Sequence, residues 1–325
     1  MSKTALIVGG TGQFGFYISK LLLKKNYKVY LSTRSFKNDK LIKFQSFKNK
    51  ITFIKINVLK KNDIERKILE ISPHYIFYLA GQSSVFRSFL LKKETRDSNF
   101  LGCKNFLDCI IKLKLDPKFF NASSSEIYGN SIKKITINKK KNPLSPYALA
   151  KLKSFRIVQK YRSIYKLKLY NGVIFNCESY LRPKDFIIPK ICFSAIKSNE
   201  LSRLKKKCTF KFGNINVSRD WGWCEEYVNV IWKYLHKSPR DFIVATGKTF
   251  SVKELLSEAF SFFKLNWKDH IVIDKSLYRK REIYSSKSSI HRLKKDIGYV
   301  PFINGIDIIK KLIKYYLKDK KKNIC

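Results

Sequence analysis

Apolar and polar positions along the first half of the chain follow two spacings that take turns. Short apolar runs ending in turn residues predict strands at 4–10, 28–34, 51–58, 74–81, 117–124 and 167–176. Between them, apolar residues at helical spacing predict helices at 13–25, 61–72, 98–113 and 145–165. Strands that alternate with helices in this way indicate an α/β fold with a parallel, doubly wound sheet.

The pattern loosens after residue 176, where prolines and single helices replace the regular alternation. A last sheet strand is predicted at 241–247, and helices are predicted at 251–263 and 305–318. We therefore expect a sheet domain from residues 1–175, with 222–250 contributing to it. Residues 176–221 and 251–325 are expected to form a smaller, interleaved C-terminal lobe that binds substrate.

A glycine-rich stretch, "VGGTGQFG", lies between the first strand and the first helix. It places Gly9, Gly12 and Gly15 in a GxxGxxG spacing. Glycines there allow a tight turn and let backbone N–H groups approach a pyrophosphate at the helix N-terminus. The motif predicts a Rossmann-like dinucleotide site, because it opens a series of strand–helix–strand units.

The second strand ends in "YLSTRS", without the acidic residue that binds the ribose of NAD. Arg34 stands there instead and is suited to the 2′-phosphate of NADP. The sequence therefore favours NADP over NAD as the cofactor.

The stretch "SSSE" falls where the fifth strand should end, at the sheet edge where ligands bind. The following helix carries Tyr147 and Lys151, four residues apart on one face. A lysine ammonium beside a phenol stabilises the phenolate and lowers the phenol's pKa. Such a phenolate can take a hydroxyl proton while hydride leaves for nicotinamide.

Basic residues far outnumber acidic ones, 68 against 24, which gives a formal net charge of +44. Such a charge is typical of proteins that neutralise nucleic-acid phosphates. Only 13 of the basic residues are Arg, however, and the Lys residues are spread over the whole length. Because specific phosphate and base recognition favours Arg, we interpret the charge as compositional drift and expect no specific nucleic-acid partner.

Cysteine, histidine and hydropathy patterns each exclude a class of protein. None of the seven cysteines is spaced CxxC and the four histidines are scattered, so no metal site is predicted. No apolar run reaches the length of a membrane-spanning helix, and "MSKTALIVGG" lacks the features of a signal peptide. We therefore expect a cytoplasmic protein with reduced thiols and no membrane partner.

These motifs together resemble the extended short-chain dehydrogenase/reductase family, whose serine–tyrosine–lysine set matches Ser124, Tyr147 and Lys151. Within it, the chain is similar to the GDP-mannose 4,6-dehydratase group over nearly its whole length. The matching stretches are "TGQFG", "LAGQSSV", "ASSSEIYG", "SPYALAK", "NGVIFNCES", "FGNINVSRDWGWCEEYV", "DFIVATGKTFSVKEL" and "LYRKREI". Of these, "RDWG" followed by "EYV" is particularly specific to the group.

The resemblance implies a hydro-lyase that converts GDP-mannose, or a related GDP-manno-sugar, into a GDP-4-keto-6-deoxy sugar. It implies that Tyr147 accepts the C4 hydroxyl proton and that Ser124 hydrogen-bonds the same oxygen. Glu126 would then remove the C5 proton and help water leave from C6. Because hydride moves from C4 to bound NADP and returns to C6, the cofactor ends as it began.

The resemblance also implies two sets of contacts and an oligomer, a homodimer or homotetramer. The implied cofactor contacts are Gly9, Thr11, Gly12, Gln13, Phe14, Gly15, Arg34, Asn57, Val58, Leu79, Ala80, Gln82, Ser83, Tyr147, Lys151 and Arg182. The implied substrate contacts are Ser83, Asn176, Glu178, Lys190, Arg219, Arg279 and Glu282.

Departures from the group's pattern keep three alternatives open. Ser84 and Cys177 stand where the group has histidine, and Glu94 where it has a tyrosine beside the cofactor. A GDP-manno-heptose is therefore an alternative substrate. A nucleotide-sugar 4-keto reductase or epimerase is an alternative enzyme, although Glu126 argues against it. A nucleic-acid-binding protein on a retired Rossmann scaffold is disfavoured by the intact Ser, Glu, Tyr and Lys set.

Overall fold

The computed structural model of the chain describes residues 2–34, 36, 41–47, 49–206, 208–279 and 281–322, with side chains through residue 319. Seven parallel strands form one sheet, namely β1 Thr4–Val8, β2 Lys28–Thr33, β3 Ile51–Lys55, β4 Tyr75–Tyr78, β5 Lys118–Ser124, β6 Leu169–Ile174 and β11 Asp241–Val244. They lie in the order β11-β6-β5-β4-β1-β2-β3. This order reverses beside β1, where doubly wound sheets open a crevice for a ligand.

Helices cover both faces of this sheet and build the C-terminal part of the chain. They are α1 Gln13–Lys24, α2 Lys61–Ile71, α3 Val85–Leu90, α4 Lys92–Arg96, α5 Gly102–Lys112, α6 Pro146–Tyr165, α7 Ile187–Arg203, α8 Cys224–Tyr234, α9 Val252–Ser261, α10 His291–Ile297 and α11 Gly305–Lys322. Among the described residues, no helix is both long and apolar enough to cross a lipid bilayer.

Short strands outside the large sheet hold the C-terminal segments together. β7 Asn176–Glu178 pairs with β10 Trp221–Trp223. β9 Ser218–Arg219 lies between β12 Phe250–Ser251 and β14 Ser285–Ser286, and β8 Phe210–Phe212 pairs with β13 Ile271–Ile273. These strands bring residues that are far apart in sequence to the carboxyl edge of the large sheet.

Alternation along the central strands sends successive side chains to opposite faces of the sheet. Ile7 and Phe77 belong to the apolar cluster beneath α1 and α8, whereas Leu6 and Ile76 belong to the cluster beneath α2 and α5. A third cluster joins α7, α9 and α11. Leu293 of α10, from the range predicted for the lobe, packs into the first of these clusters.

The predicted α/β fold class is confirmed, and so are the seven predicted sheet strands, each one to four residues shorter than expected. The bounds of the two domains stay a prediction, and residues 323–325 of the predicted lobe lie outside the described residues.

The predicted single helix at 98–113 is wrong in detail, because a π-helical turn at Asp97–Leu101 separates α4 from α5. The hydroxyl of Tyr78 donates to Ser98 O at 2.7 Å, and Asn99 Nδ2 donates to Thr95 O at 3.0 Å. Side-chain donors thus occupy carbonyls at this turn, which favours a wider helix.

Candidate active site

The turn between β1 and α1 has the geometry of a phosphate cradle. Gly9 adopts φ +70°, and its N–H donates to Ser32 Oγ at 3.1 Å. A Cβ on Gly15 would lie 1.7 Å from Gly10 O, so only glycine lets the helix pack this closely on the turn. A Cβ on Gly12 would meet nothing within 4 Å, and Gly12 gives the first N–H groups of α1 no side-chain cap. The open helix N-terminus fits a dinucleotide pyrophosphate.

The side chains predicted to contact the cofactor beside the cradle differ in whether they already hydrogen-bond within the protein. Thr11 and Phe14 are half-buried at the turn. Gln13 is occupied within the protein, because its Nε2 donates to Cys177 O at 3.0 Å and its Oε1 accepts from Ser179 Oγ at 2.7 Å. Gln13 therefore joins the glycine turn to β7.

Arg34 lies at the end of β2, at the position where a 2′-phosphate would be expected. Its Nη1 pairs with Glu94 Oε1 at 3.1 Å, and 79% of its side chain is exposed. The carboxylate that departs from the group's pattern is thus the partner of the arginine predicted to select NADP.

The remaining predicted cofactor residues follow the ends of β3 and β4, at the same edge as the glycine turn. Asn57 is exposed and its N–H donates to Asp63 at 2.7 Å, whereas Val58 is half-buried. Leu79 and Ala80 are half-buried, and Ser83 is exposed. Gln82 donates through Nε2 to Ser84 O at 2.8 Å and accepts at its backbone carbonyl from Asn99 at 3.1 Å.

The four predicted catalytic residues lie on β5, on the 3-10 turn that follows it and on α6. β5 ends at Ser124, whose Oγ accepts from Glu126 N at 3.3 Å and opens a 3-10 turn at Ser125–Tyr128. Helix α6 begins after Ser145, whose Oγ accepts from Ala148 N at 3.1 Å. Lys151 Nζ donates to Ala122 O at 2.8 Å and lies 5.9 Å from the centroid of the Tyr147 ring.

The direction expected for the pKa of Tyr147 is wrong in the described structure. Burial raises the pKa of Tyr147 to about 12, more than a hydrogen bond with Ser124 and the charge of Arg182 lower it. The carboxylate of Glu126 also raises the pKa of Tyr147. Burial has the opposite effect on the pKa of Lys151, which it lowers to about 8. The Lys151 ammonium donates to the carbonyl oxygen of Ala122 rather than to the phenol of Tyr147.

Arginines and a glutamate from two segments meet beside the catalytic turn. Arg219 Nη2 lies 3.3 Å and Arg279 Nη1 lies 3.8 Å from the same oxygen, Oε1 of Glu282. Arg219 is only 5% exposed. Burial lowers its pKa and the charge of Arg279 lowers it further, whereas Glu126 and Glu282 raise it. The charge of Glu126 is therefore felt both by Arg219 and by Tyr147.

A second buried ion pair lies next to β7. Glu178 is 1% exposed, and its Oε2 lies 3.6 Å from Arg182 Nε, within ion-pair distance but beyond a hydrogen bond. Burial raises the pKa of Glu178 to about 7, and Arg182 opposes this shift. The Arg182 guanidinium also stacks 3.6 Å from the centroid of the Phe186 ring.

The last two predicted substrate residues differ in their surroundings. Asn176 is half-buried at the start of β7. Lys190 Nζ donates to Lys211 O at 2.6 Å and lies 4.5 Å from the centroid of the Phe212 ring, so it is directed towards β8. Burial lowers the pKa of Lys190.

Two side chains that organise the site are absent from the sequence prediction. The carboxylate of Asp220 is fully buried and accepts from Thr246 N and Oγ1, Gly247 N and Ser288 Oγ at 2.6–3.0 Å. It fixes the strand that carries Arg219, and its place in the "RDWG" motif was the available signal. Asn130 joins the catalytic turn to residues 282–284, for which the sequence offers no signal.

Comparisons with known proteins agree in family and fold. The family model described as GDP-mannose 4,6 dehydratase matches residues 6–312. The chain is 32% identical to "GDP-mannose 4,6 dehydratase 1" of Arabidopsis thaliana, over 96% of this chain and 89% of that protein. It is 31% identical to the human GDP-mannose 4,6 dehydratase, over 96% and 90% of the two chains.

Solved structures with lower identity share the fold. A dTDP-glucose 4,6-dehydratase from Bacillus anthracis, in complex with NAD, superposes with a TM-score of 0.83 at 18% identity, over 98% of both chains. A UDP-glucose 4-epimerase from Thermus thermophilus, also with NAD, superposes with a TM-score of 0.79 at 19% identity, over 96% and 99% of the chains.

Proposed function

The chain belongs to the GDP-mannose 4,6-dehydratase family, and from this premise we propose how its residues carry out the reaction. The protein is a hydro-lyase that converts GDP-mannose, or a related GDP-manno-sugar, into the GDP-4-keto-6-deoxy sugar. The observation that carries the residue assignment is the position of Glu126, two residues beyond the strand end that holds Ser124 and close enough to influence both Tyr147 and Arg219.

A bound nicotinamide dinucleotide would supply the hydride acceptor for C4 and the hydride donor for C6. The residues present suit such a group, since the glycine cradle is open at Gly12 and the N-terminus of α1 carries no side-chain cap. We propose NADP as the form bound, with Arg34 facing the 2′-phosphate. The Arg34–Glu94 pair is exposed, and such pairs contribute only about 0–1 kcal/mol, so a phosphate can displace the carboxylate.

Ser124, Tyr147 and Lys151 are assigned to the C4 hydroxyl. Tyr147 accepts its proton, and Ser124 hydrogen-bonds the same oxygen. Because burial raises the pKa of Tyr147 to about 12, the phenol needs a cation closer than the present one to act as a base. Lys151 provides this cation when its ammonium turns from Ala122 O towards the ring that lies 5.9 Å away.

Glu126 is assigned to the elimination. The C4 ketone acidifies the C5 proton, and the Glu126 carboxylate takes that proton. The C6 hydroxyl then leaves as water, protonated by the same carboxyl group, so that Glu126 returns to its starting state. When hydride returns to C6, C5 takes up a proton from solvent, and Tyr147 releases to solvent the proton that it accepted from the C4 hydroxyl. Arg219 and Arg279 are assigned to the diphosphate, because one guanidinium group can donate two parallel hydrogen bonds to phosphate oxygens.

The choice between a hexose and a heptose substrate depends on the sugar side of the site. Ser84, where the group has histidine, caps α3 by accepting from Arg87 N. Cys177, where the group also has histidine, is buried on β7 within the apolar cluster beneath α1 and α8. These departures favour a GDP-manno-heptose as the second candidate substrate, whereas Glu126 speaks against a simple epimerase or reductase.

We further propose a cytoplasmic homodimer or homotetramer without a specific nucleic-acid partner. The cysteines of the described residues are free thiols, which suits a reducing compartment.

Incubation of the purified protein with GDP-mannose or GDP-manno-heptose, without added reductant, tests this function by mass spectrometry. The wild-type protein is expected to yield a product lighter by one water. Glu126→Gln is expected to lose at least about a hundredfold in that product, because the elimination lacks its base. Tyr147→Phe serves as the comparison, because it blocks removal of the C4 hydroxyl proton and therefore also the elimination that follows. Unchanged water loss in Glu126→Gln would overturn the assignment of Glu126.

A further inference from the structure

Asn130, four residues after Glu126, connects the catalytic turn to the segment that carries Glu282. Its Nδ2 donates to Glu282 O at 3.0 Å, and its Oδ1 accepts from Tyr284 N at 2.6 Å. The two bonds grip the backbone on both sides of Ile283, which is buried. Asn130 itself is exposed, so this contact serves the position of the segment rather than the core.

The segment bound by Asn130 carries Glu282, which is the ion-pair partner of the two arginines assigned to the diphosphate. Oε1 of Glu282 lies against Arg219, Arg279 and the N–H of Ile283, the last at 3.1 Å. Arg219 is nearly fully buried and depends on this carboxylate as a nearby counter-charge. A displacement of Glu282 therefore changes the orientation of both guanidinium groups.

Further contacts hold the continuation of this segment at a distance from Glu282. β14 pairs with β9, the strand of Arg219, and Ser288 Oγ donates to Asp220 at 2.6 Å. Ile135 N donates to Lys287 O at 2.7 Å. Asn130 acts several residues earlier, next to Glu282 itself, where the chain passes the site before it enters β14.

We propose that Asn130 is a positioning residue that sets Glu282, and through it Arg219 and Arg279, for the nucleotide diphosphate of the substrate. This inference rests on the proposed function, which assigns these arginines to the diphosphate. Preorganised guanidinium groups lose less conformational freedom on binding, so the loss of Asn130 weakens nucleotide binding. The chemical step depends on other side chains and is expected to keep its rate.

The test measures the Kd for GDP by calorimetry, together with KM and kcat for GDP-mannose, in wild type and three variants. Asn130→Ala removes both hydrogen bonds and is expected to raise Kd and KM about tenfold, with kcat within about twofold, because two exposed hydrogen bonds are lost. Asn130→Gln keeps a donor and an acceptor and is expected to restore most of the affinity. Asn138→Ala is the control, since Asn138 is exposed on the same loop but lines a cavity beside Tyr234 and Phe242.

Three outcomes would overturn the proposal. They are an unchanged Kd for GDP in Asn130→Ala, an equal rise in Asn138→Ala, or a fall in kcat without a rise in KM. Thermal unfolding is measured alongside and is expected to differ by less than about 2 °C, as for other exposed sites. GDP binding needs no turnover, so the two proposals can fail separately. A wild-type protein that binds GDP but forms no dehydrated product from GDP-mannose would refute the proposed reaction. The Kd values for GDP would still decide the assignment of Asn130.

Discussion

Burial governs the protonation of the ionisable side chains around the site. It raises the pKa of Tyr147 to about 12 and that of Glu178 to about 7, and it lowers the pKa of Lys151 to about 8. The sequence predicts the elements that carry Tyr147 and Lys151, but the depth at which each side chain is buried follows from packing between distant segments. The expectation that Lys151 lowers the pKa of Tyr147 was wrong for this reason.

Glu178 offers a test of this effect on stability. Its pKa is raised from 4.5 to about 7, so between these values the folded chain holds a proton that the unfolded chain has lost. The free energy of unfolding therefore falls as the pH rises through this window, by up to about 1.4 kcal/mol per pH unit. Glu178→Gln should remove that part of the pH dependence, measured as urea unfolding of both proteins from acid to neutral pH. Parallel curves would contradict a raised pKa.

We propose that one residue pair, Arg34 and Glu94, influences the choice of cofactor. Removal of the carboxylate in Glu94→Gln frees Arg34 and ends repulsion of the 2′-phosphate, so NADP should bind about three- to fivefold more tightly, the scale of one exposed ion pair. The affinity for NAD should change little. Calorimetry on both cofactors provides the measurement, with Glu70→Gln as the control, because Glu70 pairs with Lys67 on α2. An equal gain for NAD would exclude a 2′-phosphate at Arg34.

At the scale of secondary structure, sequence patterns were sufficient where an element depends on its own residues. The glycine turn, the end of β5 at Ser124 and the start of α6 lie where the patterns predict them. The short strands β7, β9, β10, β12 and β14 were not predicted, since each exists only through pairing with a distant segment. The site at Arg219 and Glu282 depends on such pairings, so its geometry could not be predicted from local sequence patterns.

Substitutions at Gly15 and Gly12 of the glycine turn are expected to have different effects. Gly15→Ala places a methyl against Gly10 O, so α1 must move and the melting temperature should fall by several degrees. Gly12→Ala meets open space and should change the unfolding free energy by no more than about 1 kcal/mol. It should still weaken cofactor binding about tenfold or more, because its methyl projects into the cradle. Thermal unfolding and cofactor titration of both variants separate the effects, and equal stability losses would contradict this geometry.

On the scale of the whole molecule, one seven-stranded sheet gathers the site from the full length of the chain. The glycine turn, the catalytic turn after β5 and the pair of Arg219 with Glu282 are distant in sequence and lie at one edge. The fold class and the family could be predicted from the sequence, because they rest on alternation and on contiguous motifs. The net charge of +44 predicts neither.

The central claim is that hydride leaves C4 of the sugar and returns to C6 of the same molecule. GDP-mannose labelled with deuterium at C4 tests it directly, with the product analysed by NMR and mass spectrometry. We predict a 4-keto-6-deoxy product that has lost one water and carries the deuterium at C6. Deuterium that remains at C4, or is released to an added cofactor, would contradict the account and indicate an epimerase or a simple dehydrogenase instead.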